Sequence, residues 1–321
     1  MMKNLHLIIV AFWCLVSSCD NTSKNIPSIG FLDIAEDATL AKARTGFLDA
    51  LSKNGFSEKD NTLKIYFSNA QGEIAVLNQA CDYLISKNVK LIAANSTLST
   101  IAAVQHSKDI PVCMMVAPRP DLAGLADAQG NYPKNLFGVF ETLAYIDSSV
   151  ALIKRFFPDA VNVGTIYNSS EPQSRDALEE LQKAATTSGM KIIALPVTNS
   201  SETQLVTQSL IAKKPDVFFA LPDNVIFASF ETVVKACNEA QLPVFTSEAG
   251  LVSRGAIASY GADFYQWGFQ AGVEAANYLK SNTATIPKPE LVQVRQYVFN
   301  NKAATRFNLV APNGFIVIDS H

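Results

Sequence analysis

Short apolar strands and amphipathic helices alternate twice along this chain, in the same order each time, and nothing else in the sequence restricts the fold as strongly. In the first pass Ile29–Leu32 is an apolar strand, and Leu40, Phe47, Leu48 and Leu51 then share one helical face that Asn54-Gly55 stops. Strand Leu63–Phe67, a helix around Ile74–Ile85, strand Leu91–Ala94, a helix over Thr97–His106 and strand Val112–Val116 follow. The second pass begins with strand Val161–Ile166 and a helix carrying Ala177, Leu178, Leu181, Ala184 and Ala185 on one face. It continues through strand Lys191–Leu195, helix Glu202–Ala212, strand Val217–Ala220, helix Ile226–Ala240 and strand Val244–Thr246. The wording itself recurs, KNVKLIAAN at 87–95 against KKPDVFFAL at 213–221, and DIPVCM at 109–114 against QLPVFT at 241–246. Alternation of this kind gives parallel sheets covered by helices on both faces. The expected class is α/β, with two similar lobes.

The tail does not fit two beads on a string. Phe264–Leu279 makes one more helix, striped by Phe269, Val273, Ala276 and Leu279; Leu291–Val298 reads as a strand, and a short helical stretch follows near 303–307. One helix and one strand-plus-tail suit a chain that returns to lobe 1 and then to lobe 2. The expected boundaries are 28–141 with 260–291 for lobe 1, and 142–259 with 292–321 for lobe 2. Several crossings form a hinge, and the cleft between such lobes is the natural ligand site.

The N-terminus speaks to location. Lys3 precedes an apolar run from Leu7 to Val16, then Val16-Ser17-Ser18-Cys19. That run is shorter than the ~20 residues a membrane helix needs and has signal-peptide proportions. A basic start, a short apolar stretch and small residues before a cysteine read as a bacterial lipoprotein signal over 1–18, with Cys19 acylated and 19–27 as a tether. Acyl chains contribute about 0.8 kcal/mol per buried CH₂, so several together hold a protein to a membrane. The alternative is a secretory peptide in which Cys19 is incidental.

Removing residues 1–18 takes Lys3 with them and moves the formal charge from −3 to −4, so no basic excess points to nucleic acid. Cys81, Cys113 and Cys237 then remain, at spacings that match no zinc motif. Their apolar neighbours favour buried thiols, with a Cys81–Cys113 disulfide as the alternative in an oxidising compartment. His106 and His321 are the histidines left, and neither has an evident nucleophile or metal partner. There is no Gly-x-Gly-x-x-Gly, no Gly-Lys-Ser/Thr phosphate loop and no Gly-x-Ser-x-Gly elbow, so neither a catalytic residue nor a cofactor is expected.

In open parallel sheets ligands bind beyond the carboxyl ends of the strands. The turn Tyr167–Ser174 carries Asn168, Ser169, Ser170 and Glu171 ahead of Pro172, which suits the first turn of a helix; free N–H groups there favour a carboxylate. Asp223-Asn224 follows the strand Val217–Ala220, and Asp223 could pair with a ligand ammonium. Glu248 is a second acid of this sort, and Ser96-Thr97 would face them from lobe 1. Each of these residues could equally be a helix cap.

The stretch at 167–192, YNSSEPQSRDALEELQKAATTSGMKI, and the block at 221–272, LPDNVIFASFETVVKACNEAQLPVFTSEAGLVSRGAIASYGADFYQWGFQAG, resemble the tryptophan/tyrosine-type substrate-binding proteins of ABC transporters. IGFLDIAEDATLAKARTGFLDALSKNG at 29–55 is similar as well, and the resemblance covers nearly all of 28–300. It implies a periplasmic-binding-protein type I fold, two Rossmann-like lobes joined by a multi-strand hinge, on an extracytoplasmic lipoprotein. It implies a small ligand, amino-acid-like and often aromatic, handed to ABC permease subunits. It places Asn168–Ser174, Asp223-Asn224, Ser247–Gly250 and Ser96-Thr97 at cleft positions. In the pose this suggests, Asp223 takes the ammonium, Ser169, Ser170 and the helix N–H groups after them take the carboxylate, and the side chain lies near Phe31, Ser96 and Ala117–Asp121. The chain departs from the family in Ala117-Pro118-Arg119-Pro120-Asp121, in the ANSTLST turn and in its C-terminal stretch, so tryptophan itself is not implied. A ligand sensor for a membrane receptor and a lipid-anchored α/β enzyme remain the competing classes.

Overall fold

In the computed structural model, which describes residues 26–281 and 285–320, the chain opens with three strand–helix units. These are β1 (Ser28–Asp33) and α1 (Ala38–Lys53), β2 (Lys64–Asn69) and α2 (Ile74–Ser86), and β3 (Leu91–Asn95) and α3 (Thr97–His106); β4 (Val112–Met115) and β5 (Leu136–Phe140) follow. Every residue of β3 and β4 is buried, as a central strand between two helical layers must be. Asp37 starts α1 by accepting the Thr39 and Leu40 N–H groups at 2.7 and 2.9 Å.

The chain then passes to the second lobe with α4 (Tyr145–Phe156). There it forms β6 (Asn162–Asn168), α5 (Pro172–Thr187), β7 (Lys191–Val197), α6 (Thr203–Ile211), β8 (Val217–Ala220), α7 (Asn224–Glu239), β9 (Val244–Thr246), α8 (Ala249–Val252) and β10 (Ala258–Ala262). Helix α9 (Phe264–Lys280) and β11 (Glu290–Leu291) return to the first lobe, and β12 (Arg295–Asn300), α10 (Asn301–Thr305) and β13 (Ile316–Ile318) go back to the second.

The first sheet runs β11-β5-β4-β3-β1-β2, parallel throughout. The second runs β7-β6-β8-β9, also parallel. Beside β9 lies a mixed sheet, β10-β12-β13, joined through the Ile257 N–H donating to the Val244 carbonyl at 2.7 Å. Tyr145, Ile146, Val150 and Ile153 of α4 bury into the second lobe's core with Phe219, Phe245 and Phe299.

The structure differs from the sequence reading in three respects. The apolar run Leu291–Val298 is two strands in two sheets: Val292 is the last residue held on β5, through the Phe140 carbonyl at 2.9 Å, and the chain crosses before Arg295. Strand β5 and helix α4 are missing from that reading although their patterns are local and clear, LFGVF in the one and a buried face of Ile146, Val150 and Ile153 in the other, whereas the small residues of β10, ASYGA, give little to read. Cys81, Cys113 and Cys237 are free buried thiols, and Cys113 Sγ approaches the Ala271 carbonyl at 3.5 Å, so the Cys81–Cys113 alternative does not hold. Residues 1–25, with the signal segment and Cys19, lie outside the described residues.

Candidate ligand-binding site

Turns that leave β3, β4 and β5 on one side, and β6, β8 and β9 on the other, line one cavity. Its apolar wall is Val116, Ala117, Pro118 and Leu143 together with the rings of Phe227, Phe264 and Trp267. Phe227 of the second lobe meets Phe264 of α9 edge-on with centroids 6.1 Å apart, and Trp267 spends its indole N–H on the Val139 carbonyl at 2.8 Å. Trp267 therefore offers the cavity ring surface rather than a donor.

The polar groups are Ser96, Thr97, Glu141, Tyr145, Gln173, Asn224 and Glu248, and no Lys or Arg side chain is among the lining residues. Ser96 caps α3 with φ 105° and ψ 166°, a backbone region that is essentially glycine's. The Ser96 hydroxyl accepts the Ser99 N–H, and the remaining first-turn N–H groups, which no helix can satisfy internally, favour an anion here. Glu141 is neutralised by a two-pronged pair with Arg295, at 2.6 and 2.7 Å. Glu248 is fully buried and carries no such cation; its Oε1 accepts from the Tyr145 hydroxyl at 2.7 Å and from Ser247 at 3.0 Å. Burial pushes its carboxyl up to about 7, against those hydrogen bonds.

Of the nine candidate ligand residues, Ser96, Thr97, Asn224 and Glu248 line the cavity. Asp223 does other work and corrects the sequence pose. One of its oxygens accepts the Val225 and Ile226 N–H groups at 2.8 and 3.1 Å, and the other accepts the Asn168 N–H at 2.7 Å and the Ser174 hydroxyl. Its lone pairs are thus taken by helix α7 and by the neighbouring turn, which leaves none for an ammonium. Asn168 and Glu171 are buried beside it; burial, then the Asp223 carboxylate, raise the Glu171 carboxyl. Ser169 and Ser170 are exposed and outside the cavity lining. Phe31 is core, packed edge-on against Phe47, while Arg119 and Asp121 pair with each other at 2.6 Å on the surface.

Glu141, Leu143, Tyr145, Phe227, Phe264 and Trp267 have no place in the sequence pose, and Gln173 enters it only within the Asn168–Ser174 turn, with no role for its side chain. Gln173 sits one residue past Pro172 in a turn that was already suspect. The rest stand on elements whose approach to the cleft depends on the chain's crossings, which no local pattern reveals.

The two lobes touch. Arg254, after α8, donates to Asp37 at 2.7 Å and grips Glu231 at 2.7 and 2.8 Å, while Gly250 packs so closely on Thr39 that an added Cβ would lie 2.4 Å from its methyl.

Comparison with known proteins gives this arrangement a family. The ABC transporter substrate binding protein family model matches residues 28–318. A tyrosine-binding protein of Clostridioides difficile (strain R20291) is 34% identical over 261 residues, 81% of this chain and 75% of that protein. Among solved structures, an ABC domain in complex with L-Trp from Streptococcus pneumonia is 25% identical, with a TM-score of 0.83 over 91% of this chain and 99% of that one. A ligand-free, open substrate-binding protein with adhesive properties from Clostridium difficile is 28% identical, with a TM-score of 0.68 over 92% and 100%. The chain as a whole superposes better on the L-Trp complex than on the open structure. The chain belongs to the ABC transporter substrate-binding proteins: it is an extracytoplasmic solute-binding protein of the periplasmic-binding-protein type I fold, and not an enzyme.

Proposed function

We propose that the interlobe cavity captures one aromatic amino acid, tyrosine- or tryptophan-like, and that the protein presents it to an ABC permease. The observation that carries this reading is the cavity itself: three aromatic rings on one wall, hydroxyls and a helix start on the second, and an unneutralised buried carboxylate on the third. In the pose we favour, the ligand carboxylate meets Ser96, Thr97 and the first turn of α3. The ring lies against Phe227, Phe264 and Trp267, and the ammonium meets the second lobe near Glu248 and Asn224. Asn168, Glu171 and Asp223 brace that wall from behind. The names of the C. difficile and Streptococcus relatives support the ligand class.

The remaining assignments belong to the same proposal. Lobe 1 comprises 28–141 with 260–291 and lobe 2 comprises 142–259 with 292–321, except that β10 stays with β12 of the second lobe through Ala262 and Val292 stays on β5 of the first, which moves those two crossings to just after 262 and just after 292. Cys19 is acylated after removal of 1–18 and tethers the protein to a bacterial membrane, on its periplasmic side or at the cell surface; no described helix is long and apolar enough to cross one.

Mass spectrometry of small molecules released on denaturing the purified protein tests the ligand, followed by calorimetric titration with L-tyrosine, L-tryptophan and L-phenylalanine. Release and binding of a sugar or a nucleoside in their place would overturn the reading. For the anchor, Cys19→Ser should move the protein from the membrane fraction to the soluble one, and retention on the membrane would reject acylation there.

A further inference from the structure

Glu171 stands at the N-cap position of α5 yet makes no capping hydrogen bond. Its carboxylate is given instead to side-chain amides. Oε1 accepts from Asn168 Nδ2 at 3.1 Å, and Oε2 accepts from Asn224 Nδ2 at 3.0 Å and from Gln173 Nε2. Gln173 and Asn224 both line the cavity, and Glu171 does not.

Burial raises this carboxyl to about 8, and the N–H donors of Asn168 and Asn224 favour its ionised form; once ionised it can only accept, and so dictates which end of each amide turns toward it. With its NH₂ held by Glu171, Gln173 keeps its carbonyl oxygen on the other side. That oxygen is buried and has no hydrogen-bond partner in the protein. A buried acceptor left unpaired is costly and rare in native structures, and at a ligand cavity the missing partner is most simply a ligand donor. No donor of the described residues reaches it, Glu248 on the same wall also accepts, and no cation lines the cavity.

We infer that Glu171 is a positioning residue which locks Gln173 with its carbonyl toward the cavity, so that this oxygen receives an N–H of the ligand's α-ammonium and selects α-amino acids over analogues lacking the amine. A des-amino acid would bring no donor to Gln173 and would leave the Glu248 carboxylate without a cation as well. The inference rests on the amino-acid reading above and adds the residue pair that enforces it.

Two variants separate the roles. In Glu171→Gln the new amide has a donor as well as an acceptor, so it also holds Gln173 in the reversed orientation, NH₂ toward the cavity. In Gln173→Leu the acceptor is gone. Titrations compare L-tyrosine with 3-(4-hydroxyphenyl)propionate, and L-tryptophan with indole-3-propionate, for wild type and both variants. Wild type should prefer each amino acid by more than 100-fold, and each variant should narrow that ratio at least tenfold. Simple damage to the site would weaken both members of a pair together and leave the ratio unchanged, which would overturn the inference while the amino-acid reading stood. Wild-type protein that binds no amino acid would overturn both.

Discussion

Among the described residues lining the cavity, Glu248 is the carboxylate that no cation neutralises. Raised to about 7 in the free protein, it is largely protonated at pH 5 and largely ionised at pH 8. A ligand ammonium favours the ionised form and lowers that value, so binding at pH 5–7 releases a proton and affinity rises with pH across that window. Calorimetry in two buffers of different ionisation enthalpy should show this release; affinity flat from pH 5 to 8 would remove Glu248 from the ammonium site. The sign for folding is the reverse. A carboxyl raised in the folded state adds stability that is fully present below its unfolded value and is lost as pH rises to about 7, and Asp33, raised to about 6 by burial, acts the same way. Asp223 is a different kind of residue. Asp223→Ala strands the Asn168, Val225 and Ile226 N–H groups and should cost about 2–4 kcal/mol of stability, one lost cap plus buried donors left unpaired. A melting temperature unchanged in the variant, with affinity reduced, would restore Asp223 to the ligand.

At the level of elements, the α1–α9 crossing is the tightest joint in the first lobe. A Cβ at Gly268 would fall 1.8 Å from the Ala43 carbonyl oxygen, and one at Gly272 would fall 2.4 Å from that of Phe47. The obstacles are backbone atoms, so a larger residue must push the helices apart. Gly268→Ala should therefore destabilise by about 1–3 kcal/mol, as overpacking does. An unshifted urea midpoint would show that the helices part freely. Most elements were legible in the sequence because helix and strand periodicities are local: β8 and β9 span the residues expected of them, and α9 differs by one at its end. The same locality explains the failure at Leu291–Val298. An apolar run reports burial, not which sheet buries it, and Val292 and Val298 are buried in different lobes.

For the whole molecule the question is what holds the lobes together. Arg254 is mostly buried, and its guanidinium joins Asp37 of the first lobe to Glu231 and the Phe227 carbonyl of the second. Phe227 also lines the cavity, so this clasp ties lobe closure to the cavity wall. Closure needs a free-energy difference between open and closed states, and a buried charged pair between lobes contributes one in addition to the ligand's own contacts. Arg254→Met should weaken ligand binding by about 10- to 100-fold, in line with about 1.5–3 kcal/mol for hydrogen bonds to a charged group, chiefly through faster dissociation. Stopped-flow release from the variant at the wild-type rate would show that the clasp does not govern closure. Asp37→Asn keeps the cap of α1 and removes only the charge, so it separates the clasp from damage to the helix.

By itself the sequence determined the α/β class, the duplicated order of strands and helices, and the loops from which a site would be built, because hydrophobic periodicity, caps and strand-end position are all set by near neighbours. The turn at 167–174 and the pair Asp223-Asn224 were visible on those grounds. Which of those residues meet the cavity was decided only by the tertiary structure. Whether Asp223 faces a ligand or a backbone depends on how β6 and β8 sit side by side, since the Asn168 N–H that occupies it comes from 55 residues away. Glu171 was legible as an acid in a suspect turn, but its partner Asn224 lies 53 residues further on. The buried, unpaired oxygen of Gln173 exists only once those two turns are brought together. A cavity is a relation between surfaces that the chain joins by crossing from lobe to lobe, and such crossings leave no periodic trace in the sequence.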